Sequence, residues 1–245
     1  MGLHLIMPMG GAGSRFTENG FSTPKPMIQI HGHPFFYWAA ESVRRFTALD
    51  SLTFVVLKEH IQGFGIDGAI KAYYPGAKFR VLERTTAGAV LTCLEGVRAV
   101  EDDAPVIFND CDHIFICHDF YRFCAANEFA GVDGALLTFE SGDPKFSYLE
   151  TGKDGLVTRT VEKEAISSHA ICGAYYFRNR AVFEQAARVY LKECTYKEFY
   201  ISGVYNVMAR QGARIRSFAA DMHLPFGTPE EYDAAIGSGA FGVFA

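Results

Sequence analysis

What this chain lacks narrows its chemistry first. None of its six cysteines (Cys93, Cys111, Cys117, Cys124, Cys172, Cys194) forms a CxxC pair, and the N-terminus does not join a basic head to a long apolar core. Both absences predict a reduced, cytoplasmic protein. No apolar run approaches the ~20 residues a membrane helix requires, so no membrane partner is expected. Positive charge is in deficit: 23 Lys and Arg against 28 Asp and Glu leave a net charge of -5. A nucleic-acid partner is therefore excluded, and any anion site has to be built locally. No internal repeat or low-complexity linker divides the 245 residues, of which 49% are apolar. That composition suits one large α/β domain with a sizeable core.

Two common phosphate motifs are also missing. The stretch Pro8-Met9-Gly10-Gly11-Ala12-Gly13-Ser14-Arg15-Phe16 is not a dinucleotide fingerprint, because Phe16 stands where the third glycine should allow close helix packing. The acidic ribose ligand expected ~20 residues on is absent as well, its place taken by Ile28-Gln29-Ile30-His31-Gly32-His33. A Walker loop ends in Gly-Lys-Ser/Thr, and no such tripeptide occurs in the chain. What is present is a glycine turn whose backbone N–H groups can face oxygen anions, followed at once by Arg15 and then by Pro24-Lys25-Pro26. The flanking prolines stiffen the segment, so the Lys25 ammonium can be held against a phosphate at reduced entropic cost.

The organisation around this loop is β-α-β. Leu3 to Met9 is a continuous apolar run ended by glycines, the pattern of a strand buried on both faces. Pro34 to Phe46 has helical periodicity with Pro34 in its first turn. Ser51–Leu57, Lys78–Glu83 and Ala104–Phe108 read as strands, and Ile61–Tyr74 and Ala89–Val100 as helices. The alternation predicts a parallel, right-handed, doubly wound sheet. Beyond residue 130 the texture turns antiparallel, with strands at Gly134–Ser141, Ser147–Thr151, Leu156–Glu162 and Ala170–Phe177 and helices at Arg180–Lys192 and Ser202–Gln211. The tail from Gly237 reads as a loose end.

GGAGSRF, then STPKPM, then Gly32-His33-Pro34 resembles the N-terminal signature of the sugar-1-phosphate nucleotidyltransferases, or nucleotide-sugar pyrophosphorylases, GGxG[ST]R[LF], PKP and GxP. The resemblance implies a GT-A-like or Rossmann-like nucleotidyltransferase fold: α/β, a doubly wound, mostly parallel sheet with an inserted antiparallel acceptor-binding region. It reads as one domain over 1–245, with a nucleotide-binding half at about 1–130, an acceptor-binding half at about 131–236 and a tail at 237–245.

The same resemblance implies roles. Met9, Gly10, Gly11, Gly13 and Ser14 wrap a nucleoside triphosphate, Arg15 meets the departing pyrophosphate and Lys25 the reacting phosphate. Glu83 falls where the family has a base-reading Gln, ahead of the small residues Gly88 and Ala89 that let a base approach the backbone. A carboxylate only accepts, which favours a base presenting an amino group or ring N–H, cytosine or guanine. Asp112 corresponds to the family's Mg²⁺-binding Asp with Asp110 as helper, and acidic residues at the carboxyl end of a central strand suit that ion. Glu162 and Lys163 match the segment that holds the acceptor, although Glu164 replaces its usual proline, and Gly173 opens the GxYxF strand. The second metal-binding Asp of many relatives is Pro225 here, leaving Asp221 or His223 as substitutes. Cys111, His113, Cys117 and His118 form a rival zinc cluster whose spacing matches no common pattern. Glu198-Phe199-Tyr200 and Val204-Tyr205-Asn206 resemble a segment that helps enclose the acceptor in the family, although an aromatic-rich helix start also suits core, and Thr228-Pro229 reads as a helix start.

The implied reaction joins a nucleoside triphosphate to a phosphorylated acceptor, a sugar 1-phosphate, releasing pyrophosphate, and is compatible with a homo-oligomer. A cytidylyltransferase acting on a phosphorylated non-sugar, and a catalytically silent nucleotide sensor, are the alternatives.

Overall fold

A run without alternating polarity has to be covered on both sides, and Leu3–Met9 is. Its one basic side chain, His4, is taken up by Ser51 Oγ at 2.7 Å and Asp102 Oδ1 at 2.8 Å. A computed structural model describes residues 2–126 and 131–244; residues 127–130, where the sequence places the junction between halves, lie outside the described residues.

The first half runs β1 (Leu3–Met9), α1 (Ser14–Glu18), β2 (Gln29–Ile30), β3 (His33–Pro34), α2 (Phe35–Arg44), β4 (Leu49–Leu57), α3 (Lys58–Phe64), α4 (Ile66–Tyr73), β5 (Lys78–Leu82), α5 (Ala89–Gly96), β6 (Val106–Asn109), β7 (His113–Ile116) and α6 (His118–Ala125). The second runs β8 (Gly134–Glu140), β9 (Ser147–Thr151), β10 (Val157–Glu162), β11 (His169–Phe177), α7 (Arg180–Glu193), α8 (Ile201–Arg210), β12 (Ile215–Ala219), β13 (Met222–Pro225) and α9 (Pro229–Ile236). Strands β6, β1, β4 and β5 lie side by side and parallel. β11 joins β6 antiparallel, Ala174 opposite Asn109, and carries β8, β9, β10 and β12 beyond it, while β13 returns to pair with β7. The α/β class, with a parallel centre and an antiparallel insertion, is the one expected.

Alternate side chains of β1 enter different cores, which makes the sheet doubly wound. Leu5, Met7 and Met9 pack with Phe35, Phe36, Ala39 and Val43 of α2, whereas Ile6 packs with Val90 and Cys93 of α5 and with α7 and α8 on the other face. No helix among the described residues is long and apolar enough to cross a membrane, and all six cysteines are unpaired.

Three expectations change. The helix expected over 61–74 is α3 and α4, divided at Gly65. Pro34 precedes α2 in an extended conformation instead of sitting in its first turn. The tail is not loose, because Phe241 and Phe244 are buried and Phe241 lies 4.8 Å from the Trp38 ring.

One buried charge braces the helices that carry the nucleotide half. Glu41, fully buried in α2, accepts from Arg44 Nε (2.6 Å) and Nη2 (2.8 Å), Arg45 Nε (2.8 Å) and Tyr74 Oη (2.9 Å). Burial alone would raise its pKa, but those donors outweigh burial and hold the carboxyl below its ordinary range. Both arginines are 47% and 31% exposed and regain water when unpaired. Glu41→Ala should therefore cost about 2 kcal/mol at neutral pH, less than stranding a wholly buried ion. Because the folded-state pKa is the lower one, this stabilisation is complete above the unfolded carboxyl's pKa, about 4, and fades as pH falls through the folded value. Urea midpoints of wild type and E41A, well separated near neutrality, should approach each other near pH 3.

Candidate active site

The parallel strands deliver their carboxyl ends to one edge, where an open cleft is lined from both halves of the chain. At one wall, β1 ends in Met9, the loop after it supplies Gly11 and Gly13, and α1 supplies Arg15. Phe16 explains the lost third glycine: it is buried against Phe21, Phe35 and Tyr232 at ring separations of 5.1, 5.8 and 6.4 Å. The loop is thus pinned by aromatic packing just behind Arg15. Gly10 faces inward, where an added Cβ would lie 2.6 Å from Leu82 Cδ1, and neither Gly10 nor Ser14 lines the cleft.

Lys25 sits in a single 3₁₀ turn, Lys25–Met27, and its Nζ donates to Asp112 Oδ2 at 2.7 Å. Burial opposes the ammonium, but the Asp112 charge and hydrogen bond, with Asp110 close by, outweigh it and raise the Lys25 pKa. Asp112 feels the reciprocal pull: burial would raise its pKa and Lys25 lowers it. Asp110 lacks such a partner, so burial, and then the charge of Asp112, push it up to about 7 against the counteracting Lys25. Two carboxyls and one ammonium thus share a half-buried pocket.

Neighbouring backbone leaves room for both carboxyls. Asp110 N–H donates to Gly173 O at 2.9 Å, where a register shift in β11 lies between Ile171 and Tyr175. Gly173 has φ 85°, and a Cβ there would lie 2.9 Å from Asp110 Oδ2, so both conformation and space demand glycine. Gly227 backs Asp112 in the same way, an added Cβ falling 2.4 Å from Oδ2. That glycine is tied down by α9: Glu231 Oε2 accepts from Gly227 N at 2.9 Å while Thr228 and Glu231 form a capping box.

The opposite wall is built from β10, β11 and the segment before α8. Glu162 accepts from Ser147 Oγ at 2.7 Å and from Ser202 Oγ; burial raises its pKa despite these donors. Lys163, at φ 56°, donates to Tyr200 Oη at 3.1 Å and lies 5.3 Å from that ring's centre. Of the two sequence readings of Glu198 and Tyr200, acceptor enclosure and core, their place on the cleft wall fits the first. Lys145 was missed altogether. It bridges Asp143 (3.1 Å) and Glu231 (3.0 Å) on the cleft wall, and no spacing in the sequence links it to either α9 or the PKP turn.

Three further expected residues do not come to the cleft, although Ala89 does. Glu83 follows the edge strand β5, is 77% exposed and is held by Lys58 Nζ at 2.9 Å. Gly88 is packed beneath the backbone of Phe199. Asp221 accepts from His118 N at 2.8 Å and lies 2.9 Å from its Nδ1. In the β7–β13 ladder Pro225 is opposite His113 and Met222 opposite Ile116, so Asp221 stands at the far end of the ladder, roughly 13 Å of extended chain from Pro225. The rival zinc cluster is likewise dispersed: His118 is exposed beside Asp221 and Cys117 donates to Ala219 O.

His223, the other substitute, does reach the cleft, where it meets His113 and Cys172. The two imidazole centroids are 5.4 Å apart. Burial lowers both histidine pKa values, His113 to about 4, so both rings are neutral at physiological pH.

With this geometry in view, the chain's kinship is clear: it belongs to the MobA-like NTP transferase domain family, which it matches over residues 6–197, and is a nucleotidyltransferase. Its fold is shared with a nucleoside-diphosphate-sugar pyrophosphorylase from Vibrio cholerae RC9, at TM-score 0.81 and 23% identity, covering 96% of this chain and 100% of that one. It is shared too with a UDP-glucose pyrophosphorylase complexed with UDP-glucose, at TM-score 0.75 and 17% identity, covering 100% of both chains. No curated protein sequence matches the chain. The resemblance carried by GGAGSRF and PKP holds at the level of family and fold.

Proposed function

We propose that the protein transfers a nucleotidyl group from a nucleoside triphosphate to a sugar 1-phosphate, giving a nucleotide-activated sugar and pyrophosphate. The observation that carries this reading is the Lys25–Asp112 pair at 2.7 Å, set between a phosphate-suited glycine loop and a cationic acceptor wall. In that reading an acceptor phosphate oxygen attacks the α-phosphorus in line, the bond to the bridging oxygen breaks, and its electrons leave with pyrophosphate. No protein nucleophile or base is needed, since the attacking phosphate is already ionised.

This chain's residues supply position and charge. Arg15 faces the departing pyrophosphate, Lys25 the α-phosphate and Lys163 the acceptor phosphate, while Glu162, held by two serines, meets acceptor hydroxyls. The crowded carboxyls of Asp110 and Asp112 suit a hard divalent cation, and we assign Mg²⁺ to them; when bound it would neutralise charge on the triphosphate. Glu83 is directed at Lys58, so base selection falls to the backbone around Ala89.

A matrix of the common triphosphates against phosphorylated sugars, cholines and polyols with Mg²⁺, read by pyrophosphate release, tests this. Turnover with one triphosphate and a sugar 1-phosphate is expected. Turnover only with non-sugar phosphates would overturn the acceptor assignment. Triphosphate binding without pyrophosphate from any pair would make the protein a sensor.

A further inference from the structure

His113, Cys172 and His223 come from three separated strands, β7, β11 and β13, yet their ligand atoms all lie within 4.8 Å of one another. None of the four imidazole nitrogens has a hydrogen-bond partner within the described residues, and all four are sealed from solvent. The Cys172 backbone lies beside the His223 ring and opposes the effect of burial on its pKa. Buried imidazoles normally satisfy at least one nitrogen, because an unpaired polar group in the interior is costly. Here two are left open side by side, with a thiol between them, on the wall of the cleft.

The fold holds them there by design of the backbone. Pairing of β7 with β13 sets Pro225 opposite His113 and His223 opposite Phe115, and His223 packs 4.1 Å from the Phe139 ring. The irregular stretch of β11 at Gly173 brings Cys172 to the same point, with His113 Nε2 3.3 Å from where a Gly173 Cβ would be.

We propose that His113, Cys172 and His223 form a zinc-class metal site, distinct in chemistry from the carboxylates of Asp110 and Asp112, with its fourth position open to the cleft. Two neutral imidazoles and a thiolate are borderline-to-soft donors that select Zn²⁺ over Mg²⁺ or Ca²⁺. Three protein ligands leave a tetrahedral ion one position for a water, or for an oxygen or nitrogen of a bound molecule. Burial keeps the Cys172 thiol protonated in the metal-free protein. Binding therefore replaces the S–H bond by an S–Zn bond and releases one proton to solvent. The site is independent of the nucleotidyl-transfer reading and stands or falls on metal binding alone.

The test uses the full chain after chelator treatment. Zn²⁺ retained through gel filtration is measured by elemental analysis, and Co²⁺ is titrated as the spectroscopic probe. One equivalent of zinc, and a tetrahedral cobalt spectrum carrying a thiolate-to-cobalt charge-transfer band, are expected. Cys172→Ser should abolish that band, and His223→Gln should weaken zinc by on the order of 100-fold or more, a loss at least as large as that from supporting residues. Asp112→Asn should leave both signals in place. Thermal melts establish that each variant is folded, and the conservative Cys172→Ser keeps the test decisive if His223→Gln is not. Absence of stoichiometric zinc in the wild type, a cobalt spectrum without the thiolate band, or binding unchanged in Cys172→Ser would each overturn the site.

Discussion

Replacing Lys25 with alanine should lower kcat/KM for pyrophosphate release by about 10³-fold, roughly 4 kcal/mol of transition-state stabilisation. The ammonium is the cation held nearest the acidic pair, and charge grows on the phosphates as the Pα–O bond breaks. Triphosphate affinity should fall much less, because the loop after β1 and Arg15 still line the cleft. Stability should fall by only about 1 kcal/mol, since Lys25 and Asp112 keep 26% and 22% side-chain exposure and the freed carboxylate can draw in water. Lys25→Arg should not restore turnover, because a planar fork does not reproduce a point charge between two carboxyls. Steady-state kinetics with the confirmed substrate pair and a thermal melt separate these effects. A loss of less than about 10-fold in K25A would remove Lys25 from the reacting phosphate.

The second large effect comes from a residue outside the cleft. Gly88 has φ 148° and ψ 165°, a region essentially reserved for glycine, and an added Cβ would lie 2.3 Å from Phe199 N and 2.8 Å from its Cα and O. Backbone cannot step aside as a side chain can. Two hydrogen bonds hold that contact, Phe199 N to Ala87 O at 3.2 Å and Val90 N to Phe199 O at 3.0 Å. Gly88→Ala should therefore cost about 3 kcal/mol or more, a fall of roughly 6–12 °C in Tm for a chain of this size. The segment displaced carries Glu198 and Tyr200, so KM for the acceptor should rise more than KM for the triphosphate. Gly11→Ala, whose Cβ meets nothing within 4 Å, is the control and should melt like the wild type. If G88A melts normally as well, the Phe199 contact is not a constraint.

Parts of this architecture could be read from the chain because their causes are local. β1 announces itself by an apolar run, and β9 by the Gly-Lys-Asp-Gly turn that follows it, 152–155. β7 and β13 do not. Each has four residues, and each is a strand only because the other, more than a hundred residues away, pairs with it. The same non-local pairing explains the misplacement of Asp221, which is near Pro225 in sequence but at the opposite end of the ladder. Lys25 and Asp112 were legible because a contiguous motif and a strand end carry them. Glu83 was placed by its position after a strand, and only the fold reveals Lys58 beside it. The tail misled for a compositional reason: Gly and Ser surround Phe241 and Phe244, and these two rings decide its fate.

β11 meets β6 only through Ala174–Phe177, so its first half runs on past Asn109, where β6 stops. The strand that closes one wall of the cleft and the strand that begins the other are therefore joined by one hydrogen-bonded ladder. Swinging one lobe from the other would tear that ladder, so the two walls keep a fixed spacing. Reactants meet in a vessel whose two sides are cut from one sheet.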